Sequence, residues 1–172
     1  MNNTATKEMP LMNKEPEELS IPLDLTAWAT PAQLRDWIMS DVATLNWTNP
    51  ELMELLRKQP DFEPKALLNT MTFGYATGIF SAEEIARRCS EDPEFRGVRP
   101  KLPPISGELK QFRKENRAMF KWCLANVITH ALKSQLIEGP GVILPPGLRR
   151  YIVENAIERL DIARHMDRSA EL

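Results

Sequence analysis

The sequence predicts an all-α protein, a bundle of about six helices that contains a helix-turn-helix-like unit. Apolar residues recur at three- and four-residue spacing over most of the chain beyond Pro31. Thr30, Asn49 and Ser81 stand where helix N-caps are expected, the first two followed at once by proline. Fourteen prolines against seven glycines punctuate the intervals. Strand evidence is confined to GVIL at 141–144, just ahead of two prolines, and it reads as loop.

Residues 1–24 are polar and acidic, with two lysines against five carboxylates, and read as a flexible acidic tail. A single helical domain then fills 25–168. Thr30 and Pro31 open the first helix, with Leu34, Trp37, Ile38, Val42 and Leu45 at helical spacing. Asn49 and Pro50 open a short second one carrying Leu52, Leu55 and Leu56. The third runs from about 64 to 76 with Leu67, Leu68, Met71 and Tyr75 on one face, and Gly78 supplies the permissive backbone that ends it. Ser81 with Glu84 three residues on forms a capping box for the fourth, whose inward side is Ile85, Ala86 and Cys89. Pro93 stops it and leaves room for a short turn over 92–96.

The segment RGVRPKLPPIS has three prolines in eleven residues and is a connector. The longest pattern follows, one helix over about 106–135, with Leu109, Phe112, Met119, Phe120, Cys123, Leu124, Val127, Ile128, Ala131 and Leu132 on a broad apolar stripe. EGPGVILPPG breaks it, and Ile152, Ala156, Ile157, Leu160 and Ala163 mark a last helix over about 148–166. Trp37 and Trp122 fall on apolar faces and read as core. Trp28 and Trp47 lie at helix edges, and Trp28 reads as the anchor of the tail.

Apolar content of 42% and charged content of 27% suit one ordinary globular domain. No apolar run approaches the ~20 residues of a membrane span, and the N-terminus lacks a secretory apolar core, so the expected location is cytoplasmic, with no membrane partner. Cys89 and Cys123, without CxxC spacing, read as reduced, buried thiols. His130 reads as a satisfied or half-exposed residue, and His165 as a complement to a helix dipole. There is no HxxxH, phosphate-binding glycine loop or GxSxG. No catalytic residue, metal or cofactor is expected, and the chain does not read as an enzyme.

The net charge of −2 leaves any nucleic-acid reading to local charge. From Arg96 to Lys121 there are eight basic residues against Glu108 and Glu115, a net +6 in 26 residues. On one continuous helix Lys110, Arg113, Lys114, Arg117 and Lys121 share a stripe away from Phe112, Met119 and Cys123. Two readings stay open: a phosphate-contacting surface, or a solvated face with mild repulsion between neighbouring cations. Arg87 and Arg88 are also within reach of DNA. Their acid-first spacing from Glu83 and Glu84 equally suits helix stabilisation, and those carboxylates would oppose phosphates.

The stretch ALLNTMTFGYATGIFSAEEIARRCSEDPEFRGVRP resembles the N-terminal domain of DDE-type transposases encoded by bacterial insertion sequences. Gly74, Tyr75, Gly78, Ser81, Ile85, Cys89, Asp92, Phe95 and Arg96 carry the resemblance. Pro104, Ile105, Ser106, Phe112 and Arg113 continue it, with extra residues between Ser106 and Phe112, so that it covers about 50–128. It implies a domain that precedes a ribonuclease-H-like nuclease and engages transposon ends. Arg87, Arg88, Arg113, Lys114 and Arg117 are then DNA-contact candidates. No Asp follows the GVIL run where the family places its first metal-binding carboxylate, so the nuclease is expected to be absent. The expectation is a non-catalytic module that binds double-stranded DNA through Arg87, Arg88, Lys110, Arg113, Lys114, Arg117 and Lys121, as a free-standing or repurposed domain. The alternative is a protein-interaction or homodimerisation module, its last helix covering an apolar face.

Overall fold

The computed structural model describes residues 20–47, 49–136 and 143–170. Among them the regular structure is helical: α1 (Pro31–Ala43), α2 (Pro50–Lys58), α3 (Pro64–Ala76), α4 (Ala82–Glu91), α5 (Ser106–Glu115), α6 (Arg117–Ser134) and α7 (Pro146–Ala170), with short 3-10 turns at Leu25–Ala27 and Pro93–Phe95. Side-chain caps open α1, α2 and α4. Thr30 and Gln33 form a reciprocal capping box at α1, and the Asn49 side chain accepts from the Glu51 and Leu52 amides at α2. At α4 Ser81 accepts from the Glu84 amide, while the Glu84 carboxylate turns away to Arg87 and Arg88.

α3 is the centre of the bundle. It packs on α1, α6, α4 and α7, and every residue from Thr70 to Ala76 is buried. The C-terminal half of the one-sided helix expected from sequence is therefore buried on all sides, as the middle of a bundle requires. Its end is a tight reversal: Gly78 has φ of 81°, and the Ile79 amide returns to the Gly74 carbonyl at 2.8 Å. A Cβ on Gly74 would lie 3.1 Å from Ile85 of α4, so that glycine sets how closely α3 and α4 approach.

The long helix expected over 106–135 is two helices. Asn116 (φ −124°, ψ 30°) closes α5 and opens α6. Its Nδ2 donates to the Phe112 carbonyl at 2.9 Å, and its own carbonyl receives the Met119 and Phe120 amides. Side-chain competition for a backbone carbonyl is the reason asparagine ends helices. α5 then packs on α4, and α6 packs on α1, α3 and, most extensively, α7.

α7 is longer than expected and buries Ile152, Ala156, Leu160 and Ala163. The domain also begins earlier than the expected end of the tail. Ile21 is buried, and Asp24 forms an isolated antiparallel bridge with Thr77 beside the α3–α4 turn. Residues 1–19 of that tail, and 141–142 of the expected loop, lie outside the described residues. Trp28 is half-buried against the core. Trp37 is half-buried and stacks on His130. Trp122, expected in the core, is 39% exposed because α6 turns its neighbours Cys123 and Leu124 inward instead.

Candidate nucleic-acid interface

The break at Asn116 dissolves the continuous stripe: Lys110, Arg113 and Lys114 belong to α5, whereas Arg117 and Lys121 belong to α6. Arg113 is not on the surface at all. The residue is 8% exposed, and its guanidinium makes a close ion pair with Asp167 of α7 and donates to the Tyr75 hydroxyl at 3.4 Å. Burial works against its charge, but Tyr75 and Asp167 outweigh that and raise its pKa. Tyr75 in turn is pushed up to about 12, chiefly by burial. Arg113 is therefore removed from the exposed contact set: its three- and four-residue spacing from Lys110 and Arg117 holds only along one helix.

Arg87 and Arg88 are exposed and half-exposed, but both are committed. Arg87 binds Glu84 at 2.5 Å and Glu91 at 2.6 Å; Arg88 binds Glu84 at 2.9 Å and Asp92 at 2.8 Å. Hydrogen bonds from both arginines hold the Glu84 carboxyl down to about 2. The network leaves α4 with an acidic outer face, since Glu83 is exposed as well. Arg117 spans to Asp161 of α7 at 2.9 Å. Lys110 is half-buried, with a partner of its own.

The start of α4, the end that a helix-turn-helix presents to a groove, is sealed. Ala82 is fully buried and its amide donates to Asp167 Oδ1 at 2.9 Å. The N-terminal segment lies against the preceding turn: a Cβ on Gly78 would lie 3.6 Å from the Leu23 carbonyl oxygen. That segment is held by Arg159 of α7, fully buried, which donates to the carbonyls of Pro22 at 2.6 Å, Leu23 at 2.7 Å and Tyr75 at 2.6 Å and to Asn155 Oδ1 at 3.0 Å. Burial lowers its pKa to about 10, far above neutrality, so it is a charged clamp. Neither Arg159 nor Asp167 was foreseen from sequence. The available signal was a charged residue at positions 159 and 167, on the side of α7 continuous with Ile152, Ala156, Leu160 and Ala163.

Within the 96–121 segment a different set of cations remains exposed and unpaired. Arg96, Arg99 and Lys101 lie in the connector, Lys114 on α5 and Lys121 on α6. Among the described residues none of the five has a carboxylate within ion-pair distance; Arg99 donates to the Cys89 carbonyl at 2.7 Å. The connector also presents Leu102 and Ile105, 62% and 64% exposed. Leu102 and Pro103 line a cleft of about 590 Å³ with Phe62, Asp61, Glu63 and Glu108.

His130 bridges two helices. It sits 3.1 Å from Asp41 Oδ2 and stacks on Trp37 with ring centres 5.5 Å apart, a contact between α6 and α1. Among the described residues no three His, Cys, Asp or Glu side chains gather as a metal site, and no helix is long and apolar enough to cross a membrane. No protein-family model matches the chain, and no curated protein or solved structure matches it.

Proposed function

We propose that the chain is a non-catalytic helical DNA-binding or regulatory module of the transposase N-terminal kind, which holds duplex DNA by its phosphates. The observation that carries this reading is that five exposed cations of the 96–121 segment, Arg96, Arg99, Lys101, Lys114 and Lys121, have no carboxylate partner among the described residues. Such a set neutralises phosphates without reading bases. The buried start and acidic outer face of α4 argue against base reading by that helix. The residues of the resemblance support the reading from another side: Gly74, Tyr75, Gly78, Ser81 and Ile85 build the α3–α4 reversal.

The test is a titration of labelled duplex at two ionic strengths. Affinity is expected to fall with salt by up to about 0.9 log units per log unit of salt for each phosphate contacted. Changing Arg96, Arg99 and Lys101 to Ala together, or Lys114 and Lys121 together, lowers both affinity and slope. Binding that ignores salt, or ignores both variants, removes this reading.

The exposed Leu102 and Ile105 favour a second reading, a protein-interaction or dimerisation module. The last helix does not need a second copy to be covered, since α7 buries its apolar side on α6 of its own chain. Light scattering over a concentration series distinguishes the two: self-association through the connector survives high salt and is lost in Leu102→Ser/Ile105→Ser.

A further inference from the structure

We infer that the last two turns of α7 are an autoinhibitory latch that keeps Arg113 out of the phosphate-contacting surface. The inference rests on the DNA-binding reading and names its regulation. Beyond Ala163, Asp167 is the one buried side chain among the described residues of α7; Arg164, His165, Met166 and Arg168 are exposed. This end of the helix is therefore docked by a carboxylate and not by apolar packing. The carboxylate makes two contacts on two other elements: Oδ1 receives the Ala82 amide of α4 at 2.9 Å, and Oδ2 pairs closely with Arg113 of α5.

A polar seal of this type opens more readily than an apolar one. The attraction between two buried charges is largely offset by the water each gives up, and both regain that water on opening. Opening uncovers little apolar core, Ala82 at the start of α4 being the buried apolar residue the carboxylate touches, because Ile152, Ala156, Leu160 and Ala163 precede the latch. Helix ends are the low-stability parts of a fold. Once the last turns lift, Arg113 is a long cationic side chain on the same helix as Lys110 and Lys114, and the start of α4 is uncovered. The closed molecule offers five unpaired cations from the 96–121 segment; the open one offers Arg113 in addition.

The experiment uses the full chain with Asp167→Ala, Asp167→Lys and the double variant Asp167→Ala/Arg113→Ala. Amide hydrogen exchange is read at Ala82, at 164–168 and at 152–160, and duplex binding is read at two salt concentrations. Both single variants are expected to exchange at least tenfold faster at Ala82 and 164–168, with 152–160 still protected, which shows the fold intact. They bind duplex several-fold more tightly than wild type, with a salt slope steeper by about 0.9, one phosphate contact. The double variant exchanges fast but loses the gain in affinity. Unchanged exchange overturns the latch, and so does faster exchange with wild-type affinity and slope. If neither wild type nor any variant binds duplex, the DNA reading itself fails and the gating falls with it, whichever way exchange moves.

Discussion

The Arg159 guanidinium of α7 donates to the Tyr75 carbonyl oxygen of α3 at 2.6 Å, in the last turn before the Gly78 reversal. The same guanidinium holds the carbonyls of Pro22 and Leu23, so one buried cation fastens three separate parts of the chain. Arg159→Ala leaves those oxygens buried and unpaired. The expected loss is ~3–5 kcal/mol, read from the urea midpoint. Exchange protection around residues 21–25 should fall at the same time. A loss below ~1 kcal/mol would mean that water replaces the guanidinium at no cost.

Tyr75 predicts an alkaline limit to stability. Its hydroxyl is pushed from 10.0 up to about 12, so between those values the folded chain retains a proton that the unfolded chain has released. This contribution is whole below pH 10 and is lost as pH rises through about 12. It amounts to roughly 2–3 kcal/mol over the window. Tyr75→Phe should flatten the stability profile there, measured by chemical denaturation from pH 9 upward.

The two glycines of the α3–α4 unit should fail for different reasons. Gly78→Ala is strained by φ of 81° and costs ~1–2 kcal/mol wherever the neighbours stand. Gly74→Ala places a Cβ 3.1 Å from Ile85 Cγ1 and Cδ1, and 3.3 Å from the Ile79 carbonyl oxygen, an overpacking cost of ~1–3 kcal/mol. Ile85→Val removes Cδ1 and should partly rescue Gly74→Ala but not Gly78→Ala. A double-mutant cycle by thermal or urea unfolding reads the difference.

Both thiols should be silent in the folded protein. Burial pushes Cys89 up to about 11 and Cys123 up to about 12, and both are free and buried. A disulfide reagent at pH 8 is expected to label neither until denaturant is added, and then both. Rapid labelling of the native chain would contradict the packing of α4 and α6.

The sequence by itself determined the helical class, the caps at Thr30, Asn49 and Ser81, the reversal at Gly78 and the close approach at Gly74. Each depends on a residue and its neighbours within one turn, which is the range over which side-chain chemistry sets backbone shape. The fate of the charges was legible only where the partner lay on the same helix, as for Arg88 with Glu84. Asn116 was visible in the sequence, but the apolar stripe ran past it on both sides and hid the break. Arg113 and Asp167 are 54 residues apart, and nothing local to either says that they meet. Only the docking of α7 across α3, α4 and α5 decides which cations stay in water, because the free energy of a charge depends on what surrounds it in space and not on its neighbours in the chain.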